Sequence, residues 1–552
     1  MNDSNLEGLP APASMMPRNG QTWIALSAGV LMGLTPAPVN AWFLAWFALA
    51  PLWILVTTHS KFNASPPHLT RFAKRSRRFF SPEFRIGFTW GFGYNIIALS
   101  WITGLHPLTW MGIPWLASVL ITLACWLIIT LWGALLVGIW AALLAWLDRF
   151  SAPRSLSPLL RILIGTALWC ILETIWSWSP LEWTFLGYTQ SPNNLWILHL
   201  GQLSGPMLVT GAIVAFNGLI AEAWAARQIR HSLWQSNVLV GMSLVWLIGL
   251  HGVGLALYSR SLGEPAETAL KVGIVQGNVP TRIKLFEEGS RLSIDHYTKG
   301  YEALVAQGVD AVLTPEGAFP WLWLGSPLRN PFYQTILERQ VLAWVGTVNL
   351  DQGKLTQSLV TIDGAGKILS DYDKVKLVPL GEYIPFESTL GSFIGRLSPV
   401  EATLKPGRFD QQFNTPFGQA IVGICYESAF SELFRQQAAS GGQFILTASN
   451  NDPYGAAMMA QHHAQDVMRA IETDRWAVRA TNTGFSGIVD PHGRTQWLSG
   501  FRTYETHAHT IYRRQAQTPY VQWGDRFTPS LSFLAIGGWL IAKWRDRARR
   551  PL

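Results

Sequence analysis

Charge is scarce in this chain. Asp, Glu, Lys and Arg together make up 14% of 552 residues, against about a quarter in soluble domains, which excludes an ordinary water-soluble enzyme. Cysteine is scarcer still: Cys125, Cys170 and Cys425 are all there are. The first two fall in long apolar stretches, so no disulfide with Cys425 is expected and a disulfide-stapled secreted scaffold is excluded. Acidic residues number 34 against 42 basic ones. That excess raises nucleic acid as a partner, but the Lys and Arg residues gather beside apolar segments, where membrane topology accounts for them. Internal repeats and low-complexity tracts are missing. His462, His463 and Asp466 lack a further well-spaced ligand, so neither a metal nor a cofactor is expected.

What the chain has is apolar length. Hydrophobic stretches run over 22–34, 42–57, 86–105, 113–147, 159–178, 203–225, 238–257 and, after a long gap, 531–544. A membrane span needs about 20 residues, so the first two and the last borrow flanking residues and 113–147 is long enough to tilt. Eight spans are predicted. Lys61, Arg71, Lys74, Arg75, Arg77, Arg78 and Arg85 lie between the second and third, Arg149 and Arg154 between the fourth and fifth, and Arg227 and Arg230 between the sixth and seventh. The alternate connections, 106–112 and 179–202, carry no Lys or Arg. The positive-inside rule then puts both termini in the cytoplasm and exports the segment between spans seven and eight. The expected organisation is a disordered 1–21, a membrane domain of about seven helices over 22–257, an exported domain over 258–529, a last helix over 530–544 and a basic tail over 545–552. Within the spans, Glu173 is an ionisable group expected to face a cavity or partner, and Gly87, Gly91 and Gly93 read as close helix packing.

The exported segment alternates apolar and amphipathic stretches. Strands are predicted at 270–276, 311–314, 342–348, 359–362, 420–424, 444–447 and 476–480, and helices at 292–306, 331–339, 429–439 and 457–473. This pattern predicts an α/β layered fold, a mixed sheet covered by helices.

Three strand ends carry reactive groups, and such ends are where α/β sheets gather ligands. Glu316 follows 311–314, Lys374 precedes a Pro/Gly turn that leads to Glu382, and Cys425 ends 420–424. At a strand-to-helix turn, free N–H groups are expected to lower the thiol pKa and to stabilise an oxyanion beside it. Glu316 can then act as general base, Cys425 as nucleophile, and Lys374 with the Tyr426 N–H as the oxyanion hold. Singly, each has a plainer reading: a helix cap for Glu316, a surface charge for Lys374, a turn residue for Glu382, a small buried hydrophobe for Cys425. Their conjunction favours a site.

These residues resemble the Glu, Lys and Cys of the nitrilase, or carbon-nitrogen hydrolase, superfamily: Thr314-Pro315-Glu316, Tyr372-Asp373-Lys374 and Ile424-Cys425-Tyr426-Glu427. The chain as a whole is similar to the apolipoprotein N-acyltransferase family. Val275-Gln276-Gly277-Asn278, Leu377-Val378-Pro379 with Gly381-Glu382-Tyr383, Arg479 to Gly484, Asp490-Pro491-His492-Gly493, Phe88-Thr89-Trp90-Gly91 and the Trp169/Glu173 pair carry that resemblance. It implies a nitrilase-like α-β-β-α sandwich on a polytopic helical membrane domain in the bacterial inner membrane, with the sandwich on the periplasmic side. It further implies acyl transfer from a membrane phospholipid to the α-amino group of the diacylglyceryl-modified N-terminal cysteine of lipoproteins, through a thioester on Cys425. By the same resemblance Glu382, Tyr426 and Glu427 support the site. The chain departs from the family's pattern at Leu285, Gln357 and Pro453-Tyr454, expected along lipid-contacting loops, and after Glu382, where a stretch ending at Lys405-Pro406-Gly407 replaces a serine-rich turn. A monomer is expected. The alternative is a membrane-tethered nitrilase-type amidase acting on a small soluble substrate, and a third reading is an inert membrane scaffold, which the intact Glu/Lys/Cys set disfavours.

Overall fold

The computed structural model describes residues 18–62, 81–150, 156–228, 230–284, 286–320, 327–383 and 404–548. All eight apolar stretches are helical. They form α1 (Arg18–Gly33), α2 (Ala50–Phe62) behind a 3-10 turn at Trp42–Trp46, α3 (Pro82–Ala98), α4 (Trp115–Phe150), α5 (Pro158–Trp176), α6 (Pro206–Gln228), α7 (Leu233–Tyr258) and, at the far end of the chain, Phe527–Ala548. Four of them, α4, α5, α6 and α7, have the length and apolar composition to cross a membrane. The segment expected to be disordered gives way to helix at Arg18, and 1–17 lies outside the described residues.

Local chemistry starts two of these helices. Ser81 and Ser157 accept the N–H groups of Phe84 and Leu160, and Pro82 and Pro158 occupy the first helical position, where no donor is needed. Small residues then let the helices close up. A Cβ on Gly87 would meet Val137 O of α4 at 2.6 Å, and one on Gly93 would meet Leu26 O of α1 at 2.6 Å, so glycine alone permits the approach.

A fully buried Arg161 ties α4, α5 and α6 together. Its guanidinium donates to Asp148 Oδ1 (2.9 Å), Glu222 Oε1 (2.7 Å) and the carbonyl of Leu156 (2.9 Å). Buried charge is tolerated because each donor has an acceptor.

The C-terminal half is a four-layer sandwich. One sheet has the order β12-β1-β2-β3-β4-β5 and the other β11-β10-β9-β8-β7-β6. The strands are β1 (Ala269–Gln276), β2 (Ala311–Leu313), β3 (Leu342–Asp351), β4 (Lys354–Ile362), β5 (Ile368–Asp373), β6 (Phe413–Thr415), β7 (Gly418–Ile424), β8 (Phe444–Ser449), β9 (Ala477–Thr481), β10 (Gly487–Val489), β11 (Thr495–Leu498) and β12 (Glu505–Tyr512). Side chains alternate between two cores as the two-residue period requires. Val272, Ile274, Leu313, Trp344, Val422, Ile424 and Leu446 fill the space between the sheets. Val275, Val312, Ala343 and Val345 turn outward onto α8 (Glu287–Val305) and α9 (Pro331–Arg339).

The outer face of the second sheet is covered by α10 (Ser431–Ala439) and α11 (Ala456–Thr473), followed in the chain by α12 (Phe527–Ala548). There the sandwich shares a core with the membrane helices, since Ile421, Leu433, Val467 and Ile471 belong to the same apolar cluster as Trp90, Trp140 and Trp169. The sandwich is thus seated on the membrane domain through α11, and one mixed sheet, as periodicity predicts, is in fact two.

Removing Arg161 alone takes a shared cation from two buried carboxylates, Glu222 keeping only the partly exposed Arg230 at 3.0 Å. Arg161→Leu is expected to lose about 3–5 kcal/mol, read as a lower thermal unfolding midpoint in detergent. Replacing Arg161, Asp148 and Glu222 together with apolar residues of similar volume should recover most of that loss.

Candidate active site

The carboxyl ends of strands from both sheets converge on one point. Glu316 lies three residues past β2, Lys374 directly follows β5, Cys425 directly follows β7, and Asn450 directly follows β8. The Glu316 turn sits hard against β3, where a Cβ at Gly346 would fall 2.0 Å from Pro315 O. Lys374 donates to Glu316 Oε1 at 2.8 Å and to Glu382 Oε1 at 2.6 Å. The other Glu316 oxygen accepts the Asn450 N–H at 2.8 Å, and the other Glu382 oxygen accepts the Val378 N–H at 2.8 Å. Glu316, Lys374 and Cys425 are all buried.

Cys425 stands in the left-handed region, φ +54°, a conformation that costs a non-glycine residue about 1–3 kcal/mol and persists only where neighbours impose it. Two neighbours do so. His462 of α11 meets the Cys425 carbonyl at 2.7 Å. Glu427 takes the Ile424 N–H on Oε2 (2.7 Å), the Val375 and Lys376 N–H groups on Oε1 (2.6 and 3.0 Å), and the Tyr372 hydroxyl on Oε2 (3.2 Å). One carboxylate therefore binds the Lys374 segment of the first sheet to the Cys425 segment of the second.

The thiol does not follow its predicted electrostatics. A strand-to-helix turn was expected to lower its pKa; burial instead pushes it up to about 12, and Glu316 adds to the rise while Lys374 opposes it. Among backbone groups it is the Asn450 N–H, past the end of β8, that lowers it, and too weakly to offset desolvation. Burial alone would push the Lys374 ammonium down, but Glu316 and Glu382 more than reverse this and hold it well above its ordinary value. The resting cluster is a thiol beside an ammonium caught between two carboxyls. The thiol itself donates to Asn451 Oδ1 at 3.6 Å.

The membrane domain forms part of this wall. The Tyr426 hydroxyl lies 2.7 Å from the Pro180 carbonyl oxygen and 2.9 Å from that of Glu182, donating to the pair. Its ring lies parallel to Trp183, centroids 6.1 Å apart, and Trp183 Nε1 donates to Gln461 of α11 at 2.7 Å. Glu173, within α5, faces partners as expected for an intramembrane carboxylate: Trp169 Nε1, the Leu186 N–H and the Thr210 hydroxyl. It also lines a cavity with Tyr94, Asn95, Trp132, Trp176 and Glu182.

Other sequence features find structural places. Asn278 donates its N–H to Asn482 O (2.7 Å) and Thr481 its hydroxyl to Gln276 Oε1 (3.0 Å), so the 275–278 and 479–484 motifs lock β1 to β9. Arg479 pairs with Asp466 and donates to Ser428 and Ser449, forming a floor beneath the Cys425 turn, and His462 lies in that floor. Tyr454, in the loop before α11, packs edge-on against Trp101 of the membrane domain, and Gln357 sits within β4. Leu285 is outside the described residues. Sequence reasoning missed Asn450, whose backbone N–H binds the Glu316 carboxylate, and Lys284, whose ammonium binds the Glu316 main-chain carbonyl. Only their nearness to motif segments hinted at them.

A carbon-nitrogen hydrolase family model matches residues 304–517, and the apolipoprotein N-acyltransferase N-terminal domain model matches residues 28–219. Proteins named apolipoprotein N-acyltransferase from Nostoc sp. and Synechocystis sp. are 54% and 45% identical to this chain. The first match covers 94% of this chain and 99% of its relative, the second 92% and 98%. Among solved structures, the nitrilase-superfamily member Nit3 of Saccharomyces cerevisiae is 17% identical with a TM-score of 0.35, over 45% of this chain and 93% of its own. Matched along nearly its whole length by relatives of one name, and carrying both domains in order, the chain belongs to the apolipoprotein N-acyltransferase family.

Proposed function

We propose that the protein transfers an acyl chain from a membrane phospholipid to the α-amino group of the diacylglyceryl-modified N-terminal cysteine of lipoproteins, through a thioester on Cys425. The observation that carries this reading is the Lys374 ammonium held between Glu316 and Glu382 at the Cys425 turn, which is itself fastened to the membrane domain through Tyr426. The exported side is the periplasm in this reading, with both termini cytoplasmic and the enzyme monomeric.

The chemistry balances without a cofactor. Glu316 accepts the thiol proton as sulfur attacks the acyl ester carbon, and the Lys374 ammonium with the Tyr426 N–H stabilises the oxyanion. The ester C–O bond breaks, the glycerol oxygen takes the proton back from Glu316, and a lysophospholipid leaves. In the second half the neutral α-amine attacks the thioester and Glu316 takes its proton. The C–S bond then breaks, and the thiolate recovers the proton as the amide departs. Glu382 positions Lys374, Tyr426 shapes the cleft facing the membrane, and Glu427 holds the two halves of the site in register.

Incubating the protein with acyl-labelled phospholipid should place a hydroxylamine-sensitive label on the Cys425 peptide, with none on a Cys425→Ala variant. Active protein without that adduct would refute the thioester. Glu427→Gln provides a second check, since its amide NH2 must face either the Ile424 or the Val375 and Lys376 N–H groups. Stability should fall by about 1–3 kcal/mol, and label transfer to Cys425 by about 100-fold as the two segments part. A variant as stable and as fast as the parent would remove Glu427 from this role.

A further inference from the structure

Lys284 is a buried amine at the site to which the reaction above gives no task. It closes a one-turn helix, Thr281–Lys284, and is 4% exposed. Its ammonium donates to the main-chain oxygen of Glu316 at 3.0 Å, an acceptor that is a carbonyl rather than a carboxylate. The neighbouring Gly317 is in the left-handed region at φ +56°, and Lys284 Nζ lies 3.7 Å from where its Cβ would stand. The short helix is anchored in turn. Thr281 donates its N–H to Asp452 Oδ2 at 2.7 Å, and its hydroxyl accepts from the Asn450 side chain at 3.2 Å. Asn450 is the residue whose N–H binds the free oxygen of Glu316.

We infer that Lys284 is a positioning residue for the acyl-transfer reaction: its ammonium fixes the Glu316 turn through a charge-assisted hydrogen bond to the main-chain carbonyl. The inference rests on the thioester reading. A carbonyl-bound, desolvated amine has reason to be kept in such a place. As the oxyanion forms, Glu316 takes the thiol proton, so negative charge moves within the cluster without adding to it, and the Lys284 ammonium acts by holding the Glu316 carbonyl in a charge-assisted bond that keeps the base in line with the thiol. The groups facing Lys284 are Glu316 and Asp452, with Lys374 and Cys425 beyond Glu316. Burial brings the Lys284 amine down to about 8, against the pull of Glu316 and Asp452. Its charge is therefore present below that pH and lost as pH rises through it.

The test uses the full chain in vesicles of phosphatidylethanolamine and phosphatidylglycerol carrying a labelled acyl chain, following hydroxylamine-sensitive label on Cys425 from pH 6 to about pH 10. Wild type should slow as pH rises through about 8. Lys284→Met should acylate about 100-fold more slowly, with the loss in the maximal rate, the half-saturating phospholipid concentration unchanged, and the alkaline limb gone. Lys284→Arg, whose guanidinium stays charged, should recover most of the rate with the limb displaced to higher pH. The inference is overturned if Lys284→Met acylates within twofold of wild type with the same limb. Should the Met variant fail to fold, a folded Lys284→Arg protein whose limb coincides with that of wild type overturns it equally. Wild type that carries no label on Cys425 would instead overturn the thioester reading itself.

Discussion

Four donors on the Glu427 carboxylate hold this site together. They come from Val375, Lys376 and Tyr372 in or after β5 and from Ile424 at the end of β7, so the two sheets meet on one buried carboxyl group. Other hydrogen bonds cross between the sheets, Asn450 N–H to Glu316 and the Thr481 hydroxyl to Gln276 among them, but these four join the segment that carries the amine to the segment that carries the thiol, where apolar contact would be non-directional. Hydrogen bonds fix geometry to within a few tenths of an ångström, as a nucleophile and its base require. The left-handed backbone at Cys425 is affordable in that frame, because Glu427 on one side and His462 on the other leave the turn no alternative.

Desolvation governs the rest. The site is deep enough that an isolated thiolate or ammonium would be expelled from it, and the observed arrangement answers by pairing Lys374 with two carboxyls and keeping the thiol protonated at rest. The membrane domain completes the enclosure, with Pro180, Glu182 and Trp183 closing the side of Tyr426 that faces the helices. A sandwich folded without those helices would lose that wall and expose the outer face of α11.

Much of this was legible in the sequence. Long apolar runs marked all eight of these helices, four of which are long and apolar enough to cross a membrane, and the buried strands 270–276, 420–424 and 444–447 stood out because both of their faces meet apolar layers. The half-exposed strands did not: Glu505–Tyr512 reads as polar, and Phe413–Thr415 and Gly487–Val489 are three residues long, too short to show a period. With β5, β6, β10, β11 and β12 unread, periodicity predicted one sheet, and the two-sheet sandwich came only from family resemblance. Glu316, Lys374, Glu382 and Cys425 were readable because they end strands in marked turns. The thiol's electrostatics were misread because a turn motif reports nearby N–H groups but not depth of burial. Asn450 was hidden because it reaches Glu316 through its backbone N–H, which leaves no trace in residue type, and Lys284 because its ammonium binds a main-chain carbonyl that no residue type announces.

The central claim is that Cys425 carries an acyl group from a lipid to an amine, and the most direct test separates the two halves of the reaction. Protein acylated on Cys425 with labelled lipid is freed of excess lipid and given a synthetic peptide bearing an N-terminal diacylglyceryl-cysteine. The account predicts that label leaves Cys425 in one turnover and appears in an amide on the peptide's α-amino group, and that it stays on Cys425 when the peptide's amine is blocked. Label released as free fatty acid at the same rate with or without the peptide would contradict it.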